Sequence, residues 1–199
     1  MKEIVMATNN ADKVKEMQSL FADLDIEVKA LKDVFEEPIE VEETGTTFAE
    51  NAKLKAETIS RLLDQVVIAD DSGLEIDALN KEPGVHSARF LGHDTSYDMK
   101  NSYLIELLRG QTNRAARYVC AIAMAIPGQE TIICQDTMEG EIALKPEGKN
   151  GFGYDPIFFF PPANKTAAMM DLAEKNQYSH RAKATRQLLA KVKDLMKDA

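Results

Sequence analysis

The residues of this chain that are equipped for chemistry fall into a few short stretches. The first is Thr8-Asn9-Asn10-Ala11-Asp12-Lys13, which joins an apolar run to the start of a helical pattern. Amides at a helix N-terminus point outward without intrahelical partners, and the helix dipole favours an anion there. Lys13 adds a full positive charge in that first turn. The stretch is either an anion site or a polar turn capped by Asn or Asp. It is not a Walker A loop, because the two glycines and the Gly-Lys-Ser/Thr ending are missing. The second is Lys55, which sits in the apolar stripe of Phe48, Ala52, Ile59 and Leu62, with Asn51 on the same side of the helix. An inward lysine either meets an anion or extends its stem to bring the ammonium to water. Replacing it with Met is expected to preserve or raise stability, because a costly inward charge is removed.

The third stretch is acidic. Glu42 and Glu43 precede the helix that carries Lys55, and Asp70-Asp71 follow the apolar run Val66–Ala69 and lead into Ser72-Gly73. That puts the aspartates at the carboxyl end of a strand, where open α/β sheets build their sites. Adjacent acids are costly unless a cation neutralises them. Oxygen ligands with no His or Cys beside them suit Mg²⁺ or Mn²⁺ better than zinc. The other reading is a solvated Asp-Asp-Ser-Gly turn. The fourth stretch, Gly151-Phe152-Gly153-Tyr154-Asp155-Pro156, lets an aromatic ring lie against a planar ligand while Asp155 accepts a hydrogen bond. It also fits a glycine turn around a packed ring. The fifth is Lys175 with Ser179-His180-Arg181, where Ser179 caps a final helix and places His180 and Arg181 in its first turn. No Ser-His-Asp or Cys-His arrangement favours a covalent nucleophile. Phosphate-binding amides, inward lysines, oxygen ligands, an aromatic platform and base-edge donors together describe a nucleoside triphosphate site.

These stretches need elements to hold them. Ile4–Ala7 reads as a buried strand, and Val14, Met17, Phe21 and Leu24 mark a helix over residues 12–24. A strand follows over Ile26–Leu31, then a polar loop from Lys32 to Thr46. Thr47 and Glu50 form a capping-box pattern for the helix bearing Phe48, Ala52, Ile59, Leu62 and Leu63. Val66–Asp70 is a strand, residues 96–109 a helix, and residues 115–126 and 130–136 are long strands joined at Pro127-Gly128. A further strand is expected at Ile142–Leu144. A last helix covers 179–197, with Leu188, Leu189, Val192, Leu195 and Met196 as its stripe. Alternation first and long paired strands later give an α/β fold with a mixed, twisted sheet.

The chain has 199 residues, 44% of them hydrophobic and 29% charged, which suits a single domain or one domain with two lobes. No run of apolar residues is long enough to span a bilayer, and no signal sequence is evident. Cys120 and Cys134 lie in strand-like segments, where two buried free thiols are expected over a disulfide. The location expected is the cytoplasm. A net charge of −9 argues against a nucleic acid backbone as partner, but not against a small polyanion bridged by a metal.

At this point the chain resembles the inosine triphosphate pyrophosphatase family, or Ham1-like proteins, from Met1 almost to its C-terminus. The carriers are Ala-Thr-Asn-Asn-Ala-Asp-Lys (7–13), Glu-Glu-Thr-Gly-Thr-Thr-Phe-Ala-Glu-Asn-Ala (42–52) and Ala-Asp-Asp-Ser-Gly-Leu (69–74). Pro-Gly-Val-His-Ser-Ala-Arg-Phe (83–90), Gly-Phe-Gly-Tyr-Asp-Pro (151–156) and Glu-Lys-Asn-x-x-Ser-His-Arg (174–181) complete the match. Asn9 stands where the family usually has glycine. Asn tolerates left-handed backbone angles better than most residues, so the loop is expected to survive.

The resemblance implies an elongated mixed sheet flanked by helices, in two lobes with a central cleft, and a homodimer. It implies hydrolysis of ITP, dITP and XTP to monophosphate and pyrophosphate, clearing deaminated purines from the nucleotide pool. By position, Thr8, Asn10, Lys13 and Lys55 would hold the phosphates, with Asn9, Ala11 and Asp12 completing the substrate-binding stretch. Glu42 and Asp71 would bind Mg²⁺, with Asp70 a possible helper and Asp71 the proton acceptor. Ser72, Phe152, Gly153, Tyr154, Asp155, Lys175, His180 and Arg181 would hold the nucleoside. The expected reaction is attack of water on the α-phosphorus. Lys175 and Arg181 only donate hydrogen bonds, so they favour a 6-keto purine over adenine. Rival readings are a pyrophosphatase for pyrimidine or methylated bases, and a nucleotide-binding regulator.

Overall fold

A computed structural model of the chain describes residues 3–22, 24 and 26–197, the side chains of 194–197 excepted. Its strands are β1 (Glu3–Met6), β2 (Glu27–Ala30), β3 (Val67–Ile76), β4 (Ala115–Ala125), β5 (Ile132–Ile142), β6 (Phe158–Phe160) and β7 (Lys165–Thr166). Its helices are α1 (Ala11–Phe21), α2 (Phe48–Leu63), α3 (Tyr97–Leu107), α4 (Leu172–Tyr178) and α5 (His180–Lys197). The strands form one seven-stranded sheet in the order β2-β1-β3-β4-β5-β6-β7. β1 runs parallel to β2 and β3, with Val5 opposite Val67 and Met6 opposite Ile68. β6 is antiparallel to β5 and β7. The sheet is therefore mixed and the fold α/β, as expected.

The chain divides into two compact units. One comprises Met1–Asp71, Cys120–Asp136 and Arg181–Ala199, the other Ser72–Val119 and Thr137–His180. The first is built on a core of Ile4, Met6, Met17, Phe21, Ile68, Ile122, Met124 and Leu188. The second is built on Leu74, Ile76, Leu104, Leu108, Met138, Ile157 and Phe158. Cys120 and Cys134 are buried free thiols within the first core. The stripe positions Leu195 and Met196 lie outside the described side chains.

Local chemistry explains where the elements start. Asn10 caps α1, its Oδ1 accepting from the amides of Asp12 (3.0 Å) and Lys13 (3.2 Å). The expected capping box of α2 is present. Thr47 Oγ1 accepts from the Glu50 amide, and Glu50 Oε2 accepts from the amides of Thr46 and Thr47.

Some expectations need correction. β3 does not end at Asp70 but runs on to Ile76, so Asp70, Asp71 and Ser72 are mid-strand. The turn-like composition of Asp-Asp-Ser-Gly is overridden by neighbours on both edges of this strand. β5 likewise continues unbroken to Ile142, and no separate strand begins there. The last helix, α5, begins at His180 after an extended Ser179, as expected, but a short helix not expected from the sequence, α4, precedes it. Leu62 is 60% exposed, because the buried face of α2 is made by Phe48, Asn51, Ala52, Ala56, Ile59 and Ser60 instead.

Candidate active site

Because β3 is extended through the acidic pair, Asp70 and Asp71 point to opposite faces of the sheet. On one face Asp70, fully buried, meets two cations. Lys13 Nζ from the first turn of α1 lies 3.1 Å from its Oδ2. Arg181 from the first turn of α5 donates to the same oxygen through Nη2 at 3.0 Å and Nε at 3.3 Å. Arg181 Nη1 also donates to Glu16, itself buried on α1. Burial alone would raise the Asp70 carboxyl. Lys13, Arg181 and Lys55 outweigh it and hold the group well below the usual carboxylate range.

On the other face Asp71 meets α2. Its Oδ2 accepts from Asn51 Nδ2 at 3.1 Å, and its Oδ1 lies 3.5 Å from Lys55 Nζ. Lys55 is bound more closely by Glu43, at 2.6 Å. Burial raises the Asp71 carboxyl, Lys55 opposes that, and the negative charge of Glu43 adds to the rise; the net result is a carboxyl above its ordinary value. Burial would lower the Lys55 ammonium, yet Asp71, Asp70 and Glu43 leave it raised. Two neighbouring aspartates are thus pushed in opposite directions by their surroundings.

The structure places Glu43, not Glu42, in this group. Burial alternates along residues 41–46, and Glu42 falls on the exposed phase. The resemblance points to Glu42, whereas the residue types of Glu42 and Glu43 are alike and do not say which phase faces α2. Asn51 is the other addition. Fully buried, it accepts from the Gly45 amide at 2.8 Å and donates to Asp71, so it locks the acidic loop to β3. A Cβ on Gly45 would lie 2.6 Å from Asn51 Oδ1 and 2.7 Å from Glu50 Cβ, so only glycine fits there. Glu16 was also missed, although its place beside Met17 on the inward side of α1 was a readable signal.

The loop over residues 8–13 is held from within. The Asn10 amide donates to Thr8 Oγ1 at 3.2 Å. Asn9 lacks the positive φ that would require glycine, and its side-chain amide donates to the Ile39 carbonyl at 2.9 Å, tying the turn to the acidic loop. Ala11 and Asp12 are exposed. Thr8, Asn9 and Ala11 line a hollow of about 300 Å³ with Val14, Gln18, Ala30, Lys32 and Asp33. Neither Lys13 nor the aspartates of β3 line it. Asn10 already engages the amides of Asp12 and Lys13, so the positive charge in this stretch is that of the Lys13 ammonium, which is paired with Asp70.

In the second unit, Asp155 organises the glycine-rich loop. Its Oδ2 accepts from Lys175 Nζ at 2.6 Å and the Phe152 amide at 3.0 Å, and its Oδ1 from Tyr118 hydroxyl at 3.0 Å. Gly151 has φ +70°, and a Cβ there would lie 2.0 Å from Asp155 Oδ2. The Phe152 ring is half-buried with Lys175 Nζ 5.1 Å from its centroid. His180 stacks on Tyr118 with centroids 4.7 Å apart and planes at 19°. Tyr154 departs from expectation. It is buried, and its hydroxyl donates to the Ser87 carbonyl at 2.6 Å, so the available ring is that of Phe152. Ser72 is partly buried on β3. Arg181 also departs from expectation, since its guanidinium engages Glu16 and Asp70 in the first unit.

Comparison with known proteins is consistent with this geometry. A model of the Ham1 family matches residues 4–191. A dITP/XTP pyrophosphatase of Geobacillus kaustophilus is 53% identical over 94% of this chain and 93% of its own length. One from an Exiguobacterium species is 48% identical over 98% of this chain and 99% of its own. Among solved structures, the Ham1 protein of Staphylococcus aureus superimposes with a TM-score of 0.86 at 44% identity, covering 97% of this chain and 99% of its own. A HAM1 protein from Coxiella burnetii gives 0.87 at 42% identity, covering 98% and 100%. This chain belongs to the Ham1 family.

Proposed function

We propose that the chain is a nucleoside triphosphate pyrophosphohydrolase that hydrolyses dITP, ITP and XTP to the monophosphate and pyrophosphate, acting as a single catalytic domain. The observation that carries the reading is the pair of opposed environments on β3, one aspartate locked by cations and the next left in a surplus of negative charge. A pure nucleotide binder gains little from gathering Asp71 and Glu43.

Among the described residues no three His, Cys, Asp or Glu side chains converge as a ready-made metal cage. The donors present nevertheless fit Mg²⁺, or Mn²⁺. That ion is commonly held by one or two carboxylates and completes its shell with water and substrate phosphates. Asp71 and Glu43 are such a pair, and Lys55 stands against both. Glu43 replaces Glu42 in this role. When bound, the metal supplies charge to stabilise the leaving pyrophosphate. Lys13 and Lys55 hold phosphate oxygens. Asp71, with its raised carboxyl, orients or deprotonates the attacking water. Asn51 fixes the direction of Asp71, and Arg181 with Glu16 fixes Asp70. The nucleoside is held at Phe152 and Asp155, by Lys175 and His180, with Ser72 nearby in sequence to the acids. Lys175 donates only, which favours the 6-keto oxygen of hypoxanthine and xanthine over the amino group of adenine.

A homodimer is supported by the outward face of α3, where Met99, Tyr103 and Leu107 recur at four-residue spacing and are 64%, 44% and 42% exposed. A cytoplasmic setting is supported by the two free thiols. No helix among the described residues is long and apolar enough to cross a membrane.

The test is pyrophosphate release by purified protein from ITP, dITP, XTP, GTP and ATP under one condition, with Mg²⁺ and with excess EDTA. ITP, dITP and XTP should be turned over far faster than ATP, with GTP between, and EDTA should abolish activity reversibly. Turnover of ATP equal to ITP sinks the base assignment. Full activity in chelator sinks the metal role.

A further inference from the structure

The base-binding loop is gripped from behind by consecutive residues of α3 that touch nothing in the proposed reaction. Lys100 and Asn101 are 1% and 2% exposed. Asn101 Nδ2 donates to the Gly153 carbonyl at 3.1 Å. Gly153 has φ +67°, so the orientation of this peptide is a special one, set by contacts as well as by the glycine. Lys100 Nζ donates to the Ala88 carbonyl at 2.7 Å. The neighbouring Ser87 carbonyl takes the Tyr154 hydroxyl, and Ser87 Oγ in turn accepts from the Leu74 amide of β3 and donates to the Gly84 carbonyl. Tyr97, one turn before Lys100 and Asn101, sets its ring edge-on against Tyr154 at 5.2 Å and 89°. Lys100 Nζ lies 4.8 Å from the centre of that Tyr97 ring. The grips therefore meet at Tyr154, directly through Gly153 and indirectly through residues 87–88.

Stability alone does not account for this choice of residues. A buried ammonium held by a carbonyl and a ring, with no carboxylate among its contacts in the described residues, is expensive, and an apolar side chain of the same length would pack there more cheaply. Asn101 is also costly, because its Oδ1 is buried with no hydrogen-bond partner among the described residues. What both residues provide is a fixed direction for the segment between Gly153 and Asp155, the segment that presents Asp155 to Lys175 and the Phe152 amide. Motif 83–90, which the proposed chemistry leaves unused, gains a role as the far anchor of Tyr154.

We propose that Lys100 and Asn101 are positioning residues for the loop 151–155, so that α3 sets base discrimination without touching the base. This rests on the assignment of that loop to the base. The test uses the full chain and pairs ITP and GTP kinetics with direct calorimetric binding of inorganic tripolyphosphate, which carries the phosphates and no base. Asn101→Ala should raise KM for ITP about tenfold, narrow the ITP-to-GTP ratio of kcat/KM, and leave tripolyphosphate affinity within about twofold of wild type. Tyr154→Phe, which deletes only the hydroxyl on Ser87, should move the same parameters in the same direction by less, and it serves if Asn101→Ala does not fold. Unchanged ITP parameters in both variants, or tripolyphosphate affinity falling in step with ITP, would overturn the inference and leave these residues merely structural. Wild-type protein that does not prefer ITP to ATP would overturn the base assignment, and this inference with it.

Discussion

On one face of β3, Asp70 is closed in by Lys13 and Arg181, with Glu16 balancing the second of these. On the opposite face, Asp71 shares Lys55 with Glu43, and the carboxylates there outnumber the amine. In the first region two cations face two carboxylates. The second is short of positive charge, because Lys55 stands alone between Asp71 and Glu43. Chain neighbours of identical chemistry thus differ because alternation along a strand delivers them to different helices, α1 and α5 for one and α2 for the other. Burial and charge balance, more than residue type, push the two acids in opposite directions.

The largest expected effect lies on the Asp70 side. Asp70→Asn strands Arg181 and Lys13 beside a neutral amide and should cost about 3–5 kcal/mol of stability, the range for breaking a buried ion pair by removing one partner. Urea unfolding at pH 7 measures it. The sign of the pH dependence follows from the lowered carboxyl. The contribution of Asp70 is whole above its ordinary value near pH 4 and drains away as the pH falls below that. An Asp70→Asn protein as stable as wild type would erase the distinction between the two faces.

Asp71→Asn should reverse the profile. Turnover should fall about a hundredfold or more, the scale of a lost general base. Metal-free stability at pH 7 should stay level or rise slightly. Here the folded-state carboxyl is raised, so its ionisation works against the fold: the penalty is absent below the ordinary value near pH 4 and is present in full at neutral pH. Near-normal turnover would move the base to another carboxylate.

Lys55→Met probes the shared amine. Triphosphate binding should weaken by about 1.5–3 kcal/mol, the worth of a charge-assisted hydrogen bond. The structure changes the expected effect on stability. Sequence alone favoured a neutral or stabilising change, but Lys55 is bonded to Glu43 and lies beside Asp71, so its loss leaves like charges facing each other. Thermal melts without metal should show destabilisation that Mg²⁺ reverses; a melt indifferent to Mg²⁺ argues that the carboxylates do not share an ion.

The smallest effect sharpens the charge argument. Glu43→Gln removes a repulsion from Asp71 and frees Lys55 toward it, so both changes lower the Asp71 carboxyl. A downward shift of less than about one pH unit, roughly 1.4 kcal/mol, is expected in a carbon-detected titration of metal-free protein. An upward shift would contradict the environment described.

How much of this was legible depended on whether a signal was local. The capping box at Thr47 and Glu50 is a local hydrogen-bond pattern, and it formed as written. The inward lysine at position 55 was visible from the helix period. The phase of an irregular segment is not local, so residue type did not separate Glu42 from Glu43 until α2 took one side. Asp-Asp-Ser-Gly carries turn residues, and only strands on either edge keep it extended. Tyr154 and Arg181 were placed by residue type near a ligand, whereas the fold draws them to Ser87 and to Glu16 with Asp70. Polar side chains choose partners in three dimensions, and a single sequence does not show those partners.

The mid-strand position of the aspartates also bears on how this chain can diverge. Deleting or inserting one residue within β3 would turn every later side chain to the other face. One such frame shift would put Asp71 against Lys13 and Arg181 and leave Ser72 beside Lys55. The other would bring Asp70 to Lys55 and leave Ala69 against the cations. Either way one face loses its carboxylate. Only in the turns flanking β3, near Gln65 and near Asn80, would a length change leave the alternation of the strand intact.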